Sequence, residues 1–219
     1  MNLKWNVIGL ALILFAFVLI HERFETVSLD VGLSWTFSKI APYLAQFIIV
    51  VMLSASLAQL FGTNTGKKKL ILIFCILTFS GIAFAVNPIY EGDFDNTYDE
   101  LFAVHMEDEF QEGLTMIALP GCPYCYERIE TLNRLNKYNG EVPIFIIMLD
   151  GDSLSMAEYL GLLSDNITVK PAQNSKQLSQ LVRGSFPAFI YTSKERKTLY
   201  FWNQIGFGSG ALDWLSERY

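Results

Sequence analysis

The chain has 219 residues, of which 52% are hydrophobic and 17% charged, and is more apolar than a soluble domain of its size, in which about a quarter of residues carry charge. Its net charge of −6 is unevenly placed, residues 1–87 carrying six Lys/Arg against three Asp/Glu and residues 88–219 ten against nineteen. Such a composition points to a membrane part, and the acidic second half argues against nucleic acid as a partner because a phosphate backbone wants a basic face.

Leu3 to Ile20 is almost entirely Leu, Ile, Val, Phe and Ala, with Asn6 the only polar residue after Lys4. As a helix it measures about 27 Å, enough to cross or nearly cross a hydrocarbon core with Lys4 reaching the headgroups. His21-Glu22-Arg23 follows with no small-x-small cleavage site, so this run is predicted to stay as an anchor rather than leave as a signal peptide. Residues 22–35 read as a short polar linker ending at Trp35, an amphipathic ring suited to an interface. A second span is predicted over residues 37–61, where Gln46 is read as a tolerated polar group in preference to a helix contact.

Gly62-Thr63-Asn64-Thr65-Gly66 forms a turn cluster, Lys67-Lys68-Lys69 follows, and a third span is predicted over residues 70–86. Lysines beside a short loop assign that loop to the cytoplasm. With three spans, the amino terminus is then cytoplasmic and everything after residue 88 lies outside. Ala83-Phe84-Ala85 also mimics a cleavage site, but two spans precede it, and processing there would leave the downstream part on the same side. Cys75, alone in the third span, reads as a small buried hydrophobe. No cysteine pair lies in the spans, so the chain cannot carry electrons across a bilayer alone.

Residues 91–112 hold nine Asp/Glu and no Lys or Arg. Tyr98, Leu101, Phe102, His105 and Met106 recur at steps of three and four, which predicts one apolar face of a helix with the acids solvated opposite. His105 is read as a packed ring rather than a base or ligand. Leu114 to Leu119 has the length of a strand and is stopped by Pro120-Gly121. Cys122-Pro123-Tyr124-Cys125 comes next, opening an amphipathic helix over Tyr126 to Lys137. Further strands are predicted at Pro143–Leu149, Ala188–Tyr191 and Thr198–Trp202, the last two joined by a polar turn over Ser193 to Lys197. Helices are predicted at Leu154–Leu163, Ser175–Arg183 and around Leu212–Leu215. The order β-α-β-α-β-β-α is an α/β sandwich of one domain.

Three features coincide over residues 95–219: a Cys-Pro-Tyr-Cys motif at a strand-to-helix junction, Phe186-Pro187 just before the third core strand, and a hairpin followed by a last helix. On these the segment resembles the thioredoxin-like superfamily. The implied organisation is α/β, a membrane domain over 1–88 with three transmembrane helices and a thioredoxin-like domain over 89–219, its central mixed sheet flanked by helices. A zinc site lacks two further ligands near the motif, a structural disulfide closing so small a ring restrains little of the unfolded chain, and copper handling lacks a matching Met/His set.

Cys122 at a helix amino terminus is expected to ionise more readily than a free thiol and to act as the nucleophile, with the deeper Cys125 as the resolving thiol. Pro123 and Tyr124 would tune the turn. By the resemblance, Pro187 would be cis and Phe186 would offer its backbone to an extended substrate. The spelling Cys-Pro-Tyr-Cys is similar to that of glutaredoxins, but Ser185-Phe186-Pro187 and the position of Gly206-Phe207-Gly208 depart from their glutathione site. The expected function is membrane-tethered thiol-disulfide exchange on protein substrates, with a separate redox partner, membrane lipid around the spans and no cofactor or metal. The alternative is an accessory, client-binding subunit with a non-catalytic domain.

Overall fold

A computed structural model describes residues 3–101, 109–193 and 198–219. The chain forms two compact units, Met1–Ile89 and Tyr90–Tyr219.

The first unit is helical: α1 (Leu3–Leu19), α2 (His21–Asp30), α3 (Trp35–Phe61) and α4 (Thr65–Val86). Ser34 caps α3 by accepting from the Phe37 N–H at 3.2 Å, and Asn64 caps α4 by accepting from the Lys67 N–H at 2.8 Å, each satisfying an amide that a helix start leaves unpaired. Leu14, Val50 and Leu53 are buried where α1 and α3 meet, with Ile76 and Phe79 of α4 beside them. Leu12, Phe15, Phe47, Ile48, Phe74 and Leu77 are exposed.

Among the described residues, α3 and α4 are each long and apolar enough to cross a membrane, and α1 with α2 forms a third candidate only as a pair bent by 69°. Residues 21–30 are therefore helical where a polar linker was predicted. The reason lies in their contacts: His21 and Glu25 are buried, Glu25 sits 3.2 Å from the ammonium of Lys39 on α3, and the Gln46 amide lies 3.1 Å from His21 Nδ1. Gln46 is thus a buried helix contact, as polar groups in apolar surroundings require. Cys75 is half-buried.

The second unit is built on a six-stranded sheet: β1 (Asp99–Leu101), β2 (Gly113–Ala118), β3 (Ile144–Met148), β4 (Ile167–Pro171), β5 (Ala188–Thr192) and β6 (Leu199–Trp202), in the order β1-β6-β5-β2-β3-β4. β2, β3 and β4 run parallel, while β5 is antiparallel to β2 and β6 to β5. With α5 (Pro123–Tyr138) after β2, α6 (Ser153–Leu160) and α7 (Ser175–Leu181) between β3 and β5, and α8 (Ser209–Ser216) at the end, the arrangement is thioredoxin-like. β2, at the centre, is buried along its whole length. The period of two divides the core. Ile117, Ile147, Ile190 and Phe201 meet Leu178 and Val182 on one side, while Tyr191 and Trp202 meet Trp214 of α8 on the other.

Two strands depart from the sequence expectation. Asp99–Leu101, predicted as part of a helix running to Met106, pairs antiparallel with Phe201–Leu199; Phe102, His105 and Met106 lie outside the described residues, as do Lys194 to Lys197 of the predicted turn. A step of three puts Tyr98 and Leu101 on one face of a helix but on opposite faces of a strand. Tyr98 packs edge-on against Tyr200 at 5.1 Å, whereas Leu101 packs on the cluster around Leu199 and Phe201. β4 was not predicted. Its pattern is half-exposed, and it is held by pairing with β3 and by Lys170, whose ammonium donates to the Glu109 carbonyl at 2.8 Å.

Candidate active site

β2 ends at Ala118, and the chain must turn sharply to enter α5. Gly121 makes that turn with φ +67°, a left-handed conformation open to glycine. Cys122 is the N-cap of α5, and Pro123 stands at its first position, where a missing N–H costs nothing. The Cys122 carbonyl accepts from the N–H groups of Cys125 at 3.1 Å and Tyr126 at 3.2 Å. The first turn of α5 therefore holds both sulfurs.

Their surroundings differ. Cys122 is half-exposed, Cys125 is fully buried, and both are free thiols. Burial, reinforced by the neighbouring Cys122, pushes the Cys125 thiol up to about 12, because a thiolate there loses its hydration. The Leu119 backbone and the nearby Tyr159 hydroxyl act in the opposite direction. Tyr124 is 55% exposed beside the cysteines.

The Phe186–Pro187 peptide is cis. The antiparallel register pairs Ile117 with Ala188, so Pro187 falls at the end of the sheet from which the dithiol turn leaves. Phe186 packs on the core cluster and, with Leu119, lines a cavity of about 400 Å³ that also meets Leu149, Ser175 and Gln180. A second cavity of about 460 Å³ is lined by Tyr90, Tyr124, Glu127, Arg128, Gln204 and Ile205. Arg128 donates to the Gln204 carbonyl at 2.8 Å, and burial lowers its basicity. Contiguity unites the four motif residues, and the sheet register brings Phe186 and Pro187 to the same end.

Sequence reasoning missed Tyr159. This α6 residue is fully buried, and its hydroxyl donates to the Leu119 carbonyl at 3.2 Å. Tyr126 lies with its ring 4.7 Å from that of Tyr159, and its own hydroxyl donates to Glu158 at 2.9 Å. No spacing rule joins position 159 to position 125; only the fold of α6 over the β2–α5 turn does so. Among the described residues no group of three or more His, Cys, Asp or Glu side chains is arranged to hold a metal ion.

The fold is thioredoxin-like, and it carries a CXXC-spaced cysteine pair at a strand-to-helix turn. No family model and no curated protein matches the sequence. Among solved structures, the chain is similar to a secreted disulfide oxidoreductase of Mycobacterium tuberculosis, described as homologous to E. coli DsbE, at 17% identity and a TM-score of 0.39, over 48% of this chain and 80% of that one. It is also similar to a thioredoxin-like protein from Bacteroides caccae at 11% identity and a TM-score of 0.35, over 84% of this chain and 78% of that one.

Proposed function

We propose that the chain is a membrane-tethered thiol-disulfide oxidoreductase acting on protein cysteines. One observation carries this reading: a half-exposed sulfur and a fully buried one occupy the first turn of a single helix. Such a pair can exchange disulfides in two steps. In the reducing direction, the Cys122 thiolate attacks a substrate disulfide, one substrate sulfur leaves with the bond's electron pair, and a mixed disulfide forms. Cys125 then attacks Cys122 Sγ, closing the protein disulfide and releasing the second substrate sulfur, which takes up the proton that Cys125 gives up. The reverse sequence passes a disulfide to a substrate.

Pro123 and Tyr124 shape the turn that presents Cys122, while Phe186 and Pro187 border the place where an extended substrate would lie. A separate redox protein recharges the dithiol, because the described helices of the first unit contain Cys75 and no second cysteine. The domain boundary near residue 88, insertion of the spans in a cell membrane, and an extracytoplasmic domain belong to the same proposal, supported by two or three apolar helices and by Lys67-Lys68-Lys69.

Full-length protein in detergent tests it. The wild type is expected to exchange with a model disulfide, Cys122→Ser to lose exchange, and Cys125→Ser to accumulate a mixed disulfide visible without reductant. Full activity in Cys122→Ser refutes the reading.

A further inference from the structure

The resolving step has a physical difficulty. It needs a nucleophilic sulfur at Cys125, yet that sulfur has no exposed surface, and an anion there is costly. Any stabilisation must come from groups fixed around it. The Tyr159 hydroxyl stands at this turn, 3.2 Å from the Leu119 carbonyl that also accepts from the Cys122 N–H, and there it favours ionisation of the Cys125 thiol, which Cys122 opposes. Tyr159 in turn is acted on by Cys125, Cys122 and Tyr126, the last bonded to Glu158.

Tyr159 is held unusually well for a hydroxyl donor. Its ring is fully buried, it packs at 4.7 Å against the Tyr126 ring, and its oxygen is tied to the Leu119 carbonyl at 3.2 Å. Leu119 also accepts from the Cys122 N–H at 3.4 Å, so one backbone unit links the phenol to the dithiol turn. A hydroxyl hydrogen rotates to suit its acceptor, and a charged acceptor outcompetes a neutral one. Burial raises the phenol's own pKa, so it remains a donor at any pH where the sulfur reacts and does not act as the base.

We propose that Tyr159 is a catalytic hydrogen-bond donor to the resolving sulfur: its hydroxyl, resting on the Leu119 carbonyl, turns its hydrogen to Cys125 Sγ as that thiol ionises and holds the thiolate for attack on the Cys122 mixed disulfide. The inference rests on the oxidoreductase reading and adds to it a residue from another helix. In the step itself the Cys125–Cys122 S–S bond forms and the bond from Cys122 to the partner sulfur breaks. The two cysteines end oxidised by two electrons, and the partner sulfur leaves reduced with the pair. The proton of Cys125 passes to the departing sulfur through solvent, or to solvent when the leaving thiolate is weakly basic; Tyr159 keeps its own.

The test uses reduced full-length protein in detergent, in a Cys75→Ser background, mixed with dithiobis(nitrobenzoate). Attack by Cys122 releases one coloured thiolate, and attack by Cys125 releases the second, so the two steps appear as separate phases. Tyr159→Phe should leave the first phase unchanged, slow the second about tenfold near neutral pH and move its pH profile upward by about one unit, the worth of one hydrogen bond to a charged group. A ring-fluorinated tyrosine at position 159 keeps the shape, donates more strongly and should speed the second phase. A Tyr159→Phe second phase with rate and pH profile within twofold of wild type overturns the proposal. Should Tyr159→Phe not fold, an unchanged second phase in the fluorinated variant overturns it equally. Absence of a first phase in the wild type, or its survival in Cys122→Ser, instead brings down the oxidoreductase reading and this inference with it.

Discussion

The two sulfurs of the motif show how little sequence separation is needed to create different chemistry. Three residues apart on one helical turn, Cys122 meets solvent and Cys125 does not. The Cys125 thiol, pushed up from 9.0 to about 12, couples to stability with a definite sign. Between those values the folded chain keeps a proton that the unfolded chain releases, so stability falls as pH rises. The contribution is complete below about pH 9 and fades as pH climbs through 12. Reduced wild type should therefore lose stability relative to Cys125→Ala as pH rises from about 9 towards 12, read as a narrowing gap between their denaturation midpoints. A gap that stays constant across that range would count against the assigned burial of the thiol.

At the scale of elements, the dithiol is positioned by the entry of β2 beside β3. Gly113 starts β2 with φ +125°, and a Cβ there would stand 2.3 Å from the Pro143 carbonyl oxygen, which accepts from the Leu114 N–H at 2.9 Å. Gly113→Ala must strain the backbone and push β3 away, and is expected to cost about 2–3 kcal/mol, measurable as a lower denaturation midpoint. Strongly periodic elements of this kind were legible from the sequence: β2, α5, β3, β5 and β6 all fall where apolar runs and turn residues place them. The elements that were not legible owe their state to neighbours. α2 is helical because α3 offers Lys39 and Gln46 to its buried polar residues, β1 extends because β6 presents an open edge, and β4 forms against β3. Tyr159 belongs with them, since it comes beside the dithiol turn only when its hydroxyl on α6 reaches the Leu119 carbonyl.

For the whole molecule, the question of how many helices cross a membrane separates from the question of which side holds the dithiol. α1 with α2 adds a span only as a bent pair, and that choice affects the side of the amino terminus alone. The side of residues 90–219 depends on α4, whose 22 residues reach about 33 Å, long enough to span a hydrocarbon core once. Lys67, Lys68 and Lys69 are exposed near the start of α4, where the helix dipole disfavours positive charge. Helix stability does not explain them; the tendency of lysines to stay on the cytoplasmic side would. The dithiol is then expected outside. In cells producing a variant with Cys75→Ser and Cys125→Ser, a membrane-impermeant maleimide should label Cys122 without permeabilisation once disulfides are reduced. Labelling that appears only after the membrane is opened would place the lysines outside and reverse the orientation, whatever the path of α1 and α2.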